Sequence, residues 1–185
     1  MFSIKVEDDL ELGFYTEQNA AEVFQVAMEN YDFLFPWLTW LDENYTLEGA
    51  KEFAKISLRQ FGNREMMPLR IVYKGKTIGG TGFNSFNWHT KKTEIGYWLA
   101  EKHNGKGIVT KCCRKLLEYA FTELELNRVV IKCQPENIKS RSIPQKLGFV
   151  EEGIERQGGF HRGEFVDFVV YSMLAQDWKN MRNEK

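Results

Sequence analysis

The chain alternates between segments whose hydrophobic residues recur at every second position and segments where they recur at every third or fourth. The first spacing predicts β-strands and the second predicts amphipathic helices. Strands are predicted at residues 10–15, 69–73, 77–83, 93–99, 128–133, 149–154 and 165–174. Helices are predicted after Thr16, from Thr46, at residues 109–124 and at residues 137–147. This order is typical of a mixed α/β protein.

The connections between these elements predict how the strands pair. Lys74-Gly75-Lys76 has the composition of a hairpin turn, so the strands on either side of it should be antiparallel. The helix at 109–124 connects two strands as a crossover and should make them parallel neighbours. Gly79-Gly80-Thr81-Gly82 lies inside a predicted strand with no helix after it. We interpret it as a bulged or closely packed strand, not as a second phosphate loop.

Composition and charge exclude several classes of protein. With 185 residues and 43% hydrophobic content the chain can bury one sizeable core, and no Pro-, Ser- or Gly-rich linker divides it, which predicts one domain over residues 1–185. The formal charge of −1 and the scattered lysines argue against direct nucleic-acid binding.

Neither a membrane segment, an export signal nor a disulfide framework is evident in the sequence. The cysteines Cys112, Cys113 and Cys133 form no CxxC pair, and no apolar run is long enough to span a membrane. We therefore expect a soluble cytoplasmic protein. The three histidines have no Cys or Asp at metal-ligand spacing, so no metal site is expected.

The segment Asn104-Gly105-Lys106-Gly107-Ile108-Val109-Thr110 joins a predicted strand to a predicted helix. Its glycines permit positive φ and expose backbone N–H groups, and the start of the helix adds a partial positive charge. The first half of that helix is basic and its first acidic residue is Glu118, which favours a bound anion. The spacing fits neither a Walker loop nor a dinucleotide fingerprint, so ATP and NAD are disfavoured.

Four further motifs accompany this loop. They are Glu94-Ile-Gly-Tyr-Trp-Leu, Asn137-Ile-Lys-Ser140-Arg-Ser, Lys146-Leu-Gly-Phe149-Val-Glu-Glu-Gly153 and Asp167-Phe-Val-Val-Tyr171-Ser-Met-Leu174. In this order they make the chain resemble the GNAT superfamily of acetyl-CoA-dependent N-acetyltransferases, closest to its RimJ/RimL branch, which acetylates the N-termini of ribosomal proteins. The resemblance covers nearly the whole chain. It implies the GNAT fold, a mixed, mostly antiparallel twisted sheet of about six to seven strands flanked by about four helices.

The resemblance also implies which residues hold acetyl-CoA. The family's pyrophosphate loop reads Gln/Arg-x-x-Gly-x-Gly/Ala, and this chain departs from it at Asn104 and Val109, so backbone amides would do most of the binding. The residues expected to contact acetyl-CoA are Trp98, Leu99, Asn104, Gly105, Lys106, Gly107, Ile108, Val109, Thr110, Asn137 and Ser140.

Acetyl transfer to an amine needs a base for the ammonium proton and a proton for the leaving thiolate. Glu94, on the strand before the loop, is the first candidate base, and Glu152 and Asp167 are weaker rivals. Many GNAT enzymes place a tyrosine seven residues after the motif asparagine, where this chain has Pro144. By resemblance, Ser140 would assist the thiolate instead. Structural roles remain open as well, because a serine or asparagine at this place can simply cap a helix.

The acceptor side of the site is suggested by an unusually aromatic connection at residues 31–42. Trp37 and Trp40 in this segment, with Tyr97, are the candidate substrate-binding residues. Aromatic faces can clasp a peptide or an ammonium group, although packing in the core or between subunits is the alternative. Aromatic surface and family likeness suggest a homo-oligomer.

The sequence therefore predicts an acyltransferase that moves an acetyl group from acetyl-CoA to a primary amine, with the N-terminus of a ribosomal protein as the expected acceptor. One alternative is an acetyltransferase for a small amine such as a polyamine, amino sugar or antibiotic, whose pocket would need several carboxylates. The other is a non-catalytic acyl-CoA-binding module that keeps the fold without turnover.

Overall fold

An eight-stranded sheet forms the centre of the protein in the computed structural model, which describes residues 3–183. Its strands are β1 (Ser3–Glu7), β2 (Leu10–Phe14), β3 (Met67–Tyr73), β4 (Lys76–Asn87), β5 (Lys92–Leu99), β6 (Arg128–Cys133), β7 (Val150–His161) and β8 (Glu164–Leu174). They lie in the order β1-β2-β3-β4-β5-β6-β8-β7. Neighbouring strands are antiparallel except β5 and β6, which are parallel as predicted for strands joined by a crossover helix.

Six α-helices surround the sheet within the described residues. They are α1 (Ala20–Glu29), α2 (Tyr31–Leu34), α3 (Leu47–Gly62), α4 (Ile108–Thr122), α5 (Ile138–Leu147) and α6 (Ala175–Asn183). Thr16 starts a short 3₁₀ turn, Glu17–Asn19, and the α-helix follows at Ala20. The helix predicted from Thr46 is α3, and the Thr46 hydroxyl caps it by accepting the Gly49 N–H at 3.1 Å.

The predicted mixed, mostly antiparallel α/β architecture is confirmed, but the predicted numbers of strands and helices were too low. The first strand, β1, was missed because it is short and lies at the sheet edge, where only Ile4 is buried. The terminal helix α6 was missed because it is largely polar and buries only Trp178. Strand β7 also runs well beyond the predicted 149–154 segment, and most of its residues are exposed.

Helix α4 packs on one face of the sheet through a continuous apolar face. Its apolar residues follow the predicted three- and four-residue spacing, and Cys113, Leu116 and Leu117 are fully buried. They pack in one continuous core with residues of the central strands, among them Phe83, Ile95, Val129 and Tyr171. This core fixes the start of α4 relative to the end of β5.

The most consequential feature of the sheet is that β5 and β6 pair over only part of their length. Their ladder joins Lys92–Glu94 to Arg128–Val130 and ends there. Strand β5 continues to Leu99 against β4, and β6 continues to Cys133 against β8. The two strands therefore separate towards their carboxyl ends and leave an opening in the middle of the sheet.

None of the helices in residues 3–183 combines the length and the apolar character that a membrane span requires.

Candidate functional site

A cavity of about 620 Å³ fills the opening between β5 and β6. Both strands contribute to its walls after their ladder ends, and helices α1, α3 and α5 add further residues. Its lining includes Ile95, Gly96, Tyr97 and Trp98 of β5 and Lys132 and Cys133 of β6, followed by Gln134, Asn137 and Ser140. Such an opening gives access to the backbone edges of two central strands, where a ligand can form hydrogen bonds.

The cavity has two chemically different sides, because successive residues of a strand point to opposite faces of the sheet. Tyr97 lies on the face covered by α4 and α5, where its hydroxyl reaches Cys133 and Ser140. Trp98 lies on the other face, where its ring contacts Trp40 and its N–H donates a hydrogen bond to the Tyr15 hydroxyl.

A cluster of neutral polar groups lines the α5 side. The Tyr97 hydroxyl donates to the Ser140 carbonyl at 3.0 Å and accepts from the Ser140 hydroxyl at 3.3 Å. The Cys133 sulfur lies 3.1 Å from the Ser140 Oγ. Burial raises the pKa of both Tyr97 and Cys133, so both groups are protonated near neutral pH.

Asn137 supports this cluster through the backbone. It is the N-cap of α5, and its Oδ1 accepts the Ser140 N–H at 3.0 Å. The helix-capping role that the sequence left open is therefore present for Asn137. The Ser140 side chain does not cap the helix but turns towards Cys133 and Tyr97.

An aromatic wall lines the opposite side. Trp40 meets Trp98 edge to face at 5.8 Å between ring centroids and Tyr45 at 5.2 Å, and Tyr15 meets Phe53 at 5.2 Å. Trp37 also lines the cavity. The aromatic wall is defined here as Tyr15, Trp37, Trp40, Tyr45, Phe53 and Trp98.

The two tyrosine hydroxyls of the aromatic wall are uncharged. The Trp98 N–H donates to the Tyr15 hydroxyl, while burial raises the pKa of Tyr15. Burial also raises the pKa of Tyr45, to about 12. This side of the cavity therefore offers ring faces and neutral hydroxyls.

The glycine loop has the geometry of an anion site. Gly105 and Gly107 have φ angles of 75° and 72°, and Gly107 is the N-cap of α4. The helix start has no side-chain cap and no acidic residue in its first turn, which leaves its N–H groups to a ligand. Within residues 3–183 the buried Asn104 Nδ2 also has no hydrogen-bond partner. The loop can hold a pyrophosphate.

The basic residues of α4 are partly balanced by the protein itself, which weakens the argument for an anion from charge alone. The Lys111 Nζ lies 2.9 Å from Glu7 of β1, and the Lys115 Nζ lies 2.9 Å from Glu118. The case for an anion at this loop consequently depends on the free backbone N–H groups.

Comparison with known proteins identifies the family. A family model described as an acetyltransferase (GNAT) domain matches residues 9–150, more than half of the chain. The chain belongs to the GNAT acetyltransferase family. This confirms the resemblance on which the sequence interpretation rested.

Individual relatives agree with the family assignment. The chain is 34% identical to Putative ribosomal N-acetyltransferase YdaF of Bacillus subtilis, over 97% of this chain and 98% of that protein. It is 30% identical to the ribosomal-protein-serine acetyltransferase of Escherichia coli, over 93% and 96% of the two chains. The structure of the microcin C7 self-immunity acetyltransferase MccE, solved in complex with acetyl-CoA and AMP, is 29% identical, with a TM-score of 0.88 over 92% and 95% of the chains.

Glu94, the candidate base of this GNAT domain, is half-buried on β5 at the point where β5 and β6 part. It lies on the same strand face as Trp98, four residues away, which corresponds to about 13 Å along a strand. Its carboxylate accepts the Asn84 amide N–H at 3.2 Å, and Asn84 itself lines the cavity. A proton would therefore reach Glu94 through an intermediate such as water.

The two rival carboxylates are occupied elsewhere in the GNAT fold. Glu152 accepts two hydrogen bonds from the Arg128 guanidinium and one from Ser172, and the bond to Arg128 lowers its pKa to about 2. Asp167 accepts the backbone N–H of Gln157 at 2.7 Å. Both carboxylates hold strand β7 to its neighbours, and neither lines the cavity.

Several residues of the site were not predicted from the sequence. Tyr15, Tyr45, Phe53, Asn84 and Cys133 all line the cavity, but they are brought together from distant segments. The local signal was the glycine-rich strand segment 79–82, which contains Gly80 and was interpreted as bulged or closely packed. A Cβ atom at Gly80 would lie 2.1 Å from the Tyr15 hydroxyl oxygen and 2.4 Å from the Trp98 Nε1.

Over residues 3–183 no group of three or more His, Cys, Asp or Glu side chains is arranged to hold a metal.

Replacing Gly80 by alanine should disturb the aromatic wall. The new methyl group displaces Tyr15 or Trp98, so we expect a changed near-ultraviolet circular dichroism spectrum and a loss of about 1–3 kcal/mol in the free energy of unfolding. Gly62→Ala is the matched control, because Gly62 ends α3 with no atom within 4 Å of the added methyl group. It should leave the spectrum unchanged. An unchanged spectrum for Gly80→Ala would contradict the packing described for Tyr15 and Trp98.

Proposed function

We propose that the protein transfers an acetyl group from acetyl-CoA to the α-amine at the N-terminus of a protein, in line with its relatives that are named for the acetylation of ribosomal proteins. The observation that carries this proposal is the opening between β5 and β6, with hydroxyl and thiol groups on one side and an aromatic wall on the other. An acyl donor and an amine entering from opposite sides would meet within it.

On this proposal the α4 side of the sheet binds the donor. Residues 104–110 hold the pyrophosphate through the first N–H groups of α4. Trp98 and Leu99 offer backbone groups along the part of β5 that has left β6, and Asn137 keeps Ser140 at the far end. Acetyl-CoA supplies the acetyl group as a thioester.

In this mechanism Glu94 takes up the proton of the amine, and Ser140 stabilises the sulfur that leaves as the C–N bond forms and the C–S bond breaks. Glu94 takes the proton of the ammonium group through water, because its carboxylate lies at the edge of the cavity beside Asn84. Ser140 gives a hydrogen bond to the departing sulfur by turning its hydroxyl away from Tyr97. Tyr97 and Cys133 stay protonated and hold the serine in place.

The composition of the cavity favours an α-amine over a polycation. Among the described residues that line it there is no Asp or Glu, and its one charged residue, Lys132, lies 2.6 Å from Glu155. Polyamines and aminoglycosides need several carboxylates for their charges. An α-amine has a pKa of about 7.7–8.0 against about 10.4 for lysine, so near pH 7.5 its deprotonation costs below about 1 kcal/mol and not about 4 kcal/mol.

A second candidate acceptor is a small molecule that joins an α-amine to a planar base. The aromatic wall offers flat ring faces on which a nucleobase can stack. The relative MccE was solved with AMP in addition to acetyl-CoA. Both candidates share the α-amine and differ in the group attached to it, a polypeptide in one case and a nucleotide in the other.

The sequence-based predictions of a homo-oligomer and of a cytoplasmic location remain predictions.

A panel of acceptors tests the proposed function. We expect acetyl-CoA turnover with peptides that carry a free N-terminus and with an aminoacyl nucleotide analogue, and little with spermidine or an aminoglycoside. Thiol release and mass spectrometry of the acceptor provide the measurement. Faster turnover with spermidine would favour a polyamine acetyltransferase, and CoA binding without turnover on any amine would favour a non-catalytic module.

Glu94→Gln should lower turnover of a peptide acceptor by about tenfold to a hundredfold, because the amide cannot take up the ammonium proton. It should leave acetyl-CoA affinity intact, as measured by calorimetry, and the loss should shrink as pH rises and more of the amine is already neutral. Glu152→Gln is the comparison variant, with turnover expected near wild type at temperatures where it stays folded. Turnover of Glu94→Gln that equals wild type at every pH would remove Glu94 from the mechanism.

Ser140→Ala should lower turnover by about tenfold or more, because the departing sulfur loses its hydrogen-bond donor. The control is Ser142→Ala on the same helix, since the Ser142 hydroxyl donates to the Lys139 carbonyl and does not line the cavity. Initial rates at saturating acetyl-CoA separate the two variants. Equal rates for both would mean that Ser140 only packs against Cys133.

A further inference from the structure

The aromatic wall depends on a segment that has little regular structure of its own. Residues 35–41, which carry Trp37 and Trp40, lie outside the helices and strands of the fold. Their backbone contacts within the segment begin at the end of α2, where the N–H groups of Trp37 and Leu38 bond the Leu34 carbonyl. Leu38 and Leu41 pack in an apolar cluster with Leu34 and Trp98, and hydrogen bonds from another element add to this support.

Arg162 provides that support from the turn between β7 and β8. Its guanidinium donates two hydrogen bonds to the Phe35 carbonyl, at 3.2 and 2.5 Å, and one to the Leu41 carbonyl at 3.1 Å. It also lies over the Phe35 ring. Phe35 and Leu41 are the two ends of the segment, so one side chain fixes both.

The same hairpin reaches the cavity directly, because Phe168 of β8 belongs to its lining. A guanidinium is suited to this place since its planar group of donors can bond two carbonyl oxygens at once, whereas an ammonium is a single point charge. Phe35 and Arg162 are 127 residues apart in sequence, and this arrangement was not predicted.

The chemistry of the wall indicates what it recognises. Trp40 is 41% exposed and presents its ring next to Trp98 and Tyr45. With no carboxylate in the lining of the described cavity, selection among amines has to come from shape and from contact with ring faces.

We infer that the acceptor's amine-bearing residue has an aromatic side chain, which packs on Trp37 and Trp40, and that Arg162 is the positioning residue that holds this surface. The inference rests on the proposed function, because it assumes an α-amine acceptor in this cavity. It adds that the enzyme distinguishes acceptor proteins by the side chain of their first residue.

Two peptides that differ only in their first residue, Phe or Ser, provide the test. For the wild-type protein we expect kcat/KM to be about tenfold higher for the Phe peptide, mainly through a lower KM. Arg162→Ala should bring the two peptides to within about twofold of each other, while the KM for acetyl-CoA stays unchanged. Arg162→Lys should retain part of the preference.

Two further variants serve as controls, and an unfolding measurement checks that all variants are folded. Arg156→Ala removes an exposed arginine of the same hairpin, and this arginine forms no ion pair with any residue in the range 3–183. This variant should keep the full preference for the Phe peptide. Trp40→Ala should abolish the preference through the wall itself, and urea unfolding checks that each variant is folded.

The outcomes separate the two proposals. Equal or better use of the Ser peptide by the wild-type protein would overturn the inference and leave the proposed function standing. A full preference in folded Arg162→Ala would overturn the role of Arg162. Absence of acetylation of both peptides would count against the proposed function itself.

Discussion

The parting of β5 and β6 is the constraint on which the site depends. Each strand is held on its other edge, β5 by β4 and β6 by β8, so the sheet stays continuous while its middle opens. A strand edge left without a partner inside a protein costs free energy, about 1–3 kcal/mol for each unsatisfied polar group. That cost is offset if a ligand with amide groups lies along the edge, as an extended pantetheine arm would.

The alternation of side chains along β5 then divides the chemistry between the two faces. Tyr97 points to the face where α5 brings Ser140, and Trp98 points to the face where the aromatic wall assembles. Because a strand fixes this alternation, the polar side and the aromatic side of the cavity are separated by one residue of sequence. Gly80, opposite Trp98 on β4, leaves the space in which Tyr15 and Trp98 meet.

The helices and strands with a clear hydrophobic period could be predicted from the sequence. Contacts between residues that are distant in the chain could not. Helix α4 follows from periodicity and the parallel pairing of β5 with β6 follows from the crossover connection between them. Strand β1 and helix α6, in contrast, bury too few residues to give a clear period. Asn137 and Ser140 share a helix end three residues apart, so a motif can reveal them. Arg162 acts through partners far away in the chain, which no local pattern encodes. The charge argument for the loop is weakened for the same reason, because Glu7 reaches Lys111 only in the folded sheet.

The electrostatics of the cavity bear on how strong a base the reaction requires. Its tyrosines and its cysteine are neutral, and its one lysine is paired. An ammonium group that enters such a place loses hydration without gaining a counter-charge, which lowers its own pKa, since burial disfavours the charged form. For an α-amine, whose pKa in water is already about 8, even a small decrease makes the neutral nucleophile the main form near pH 7.5. On the proposed mechanism Glu94 would then need to be only a modest base, and its position beside Asn84 at the edge of the cavity is compatible with that role.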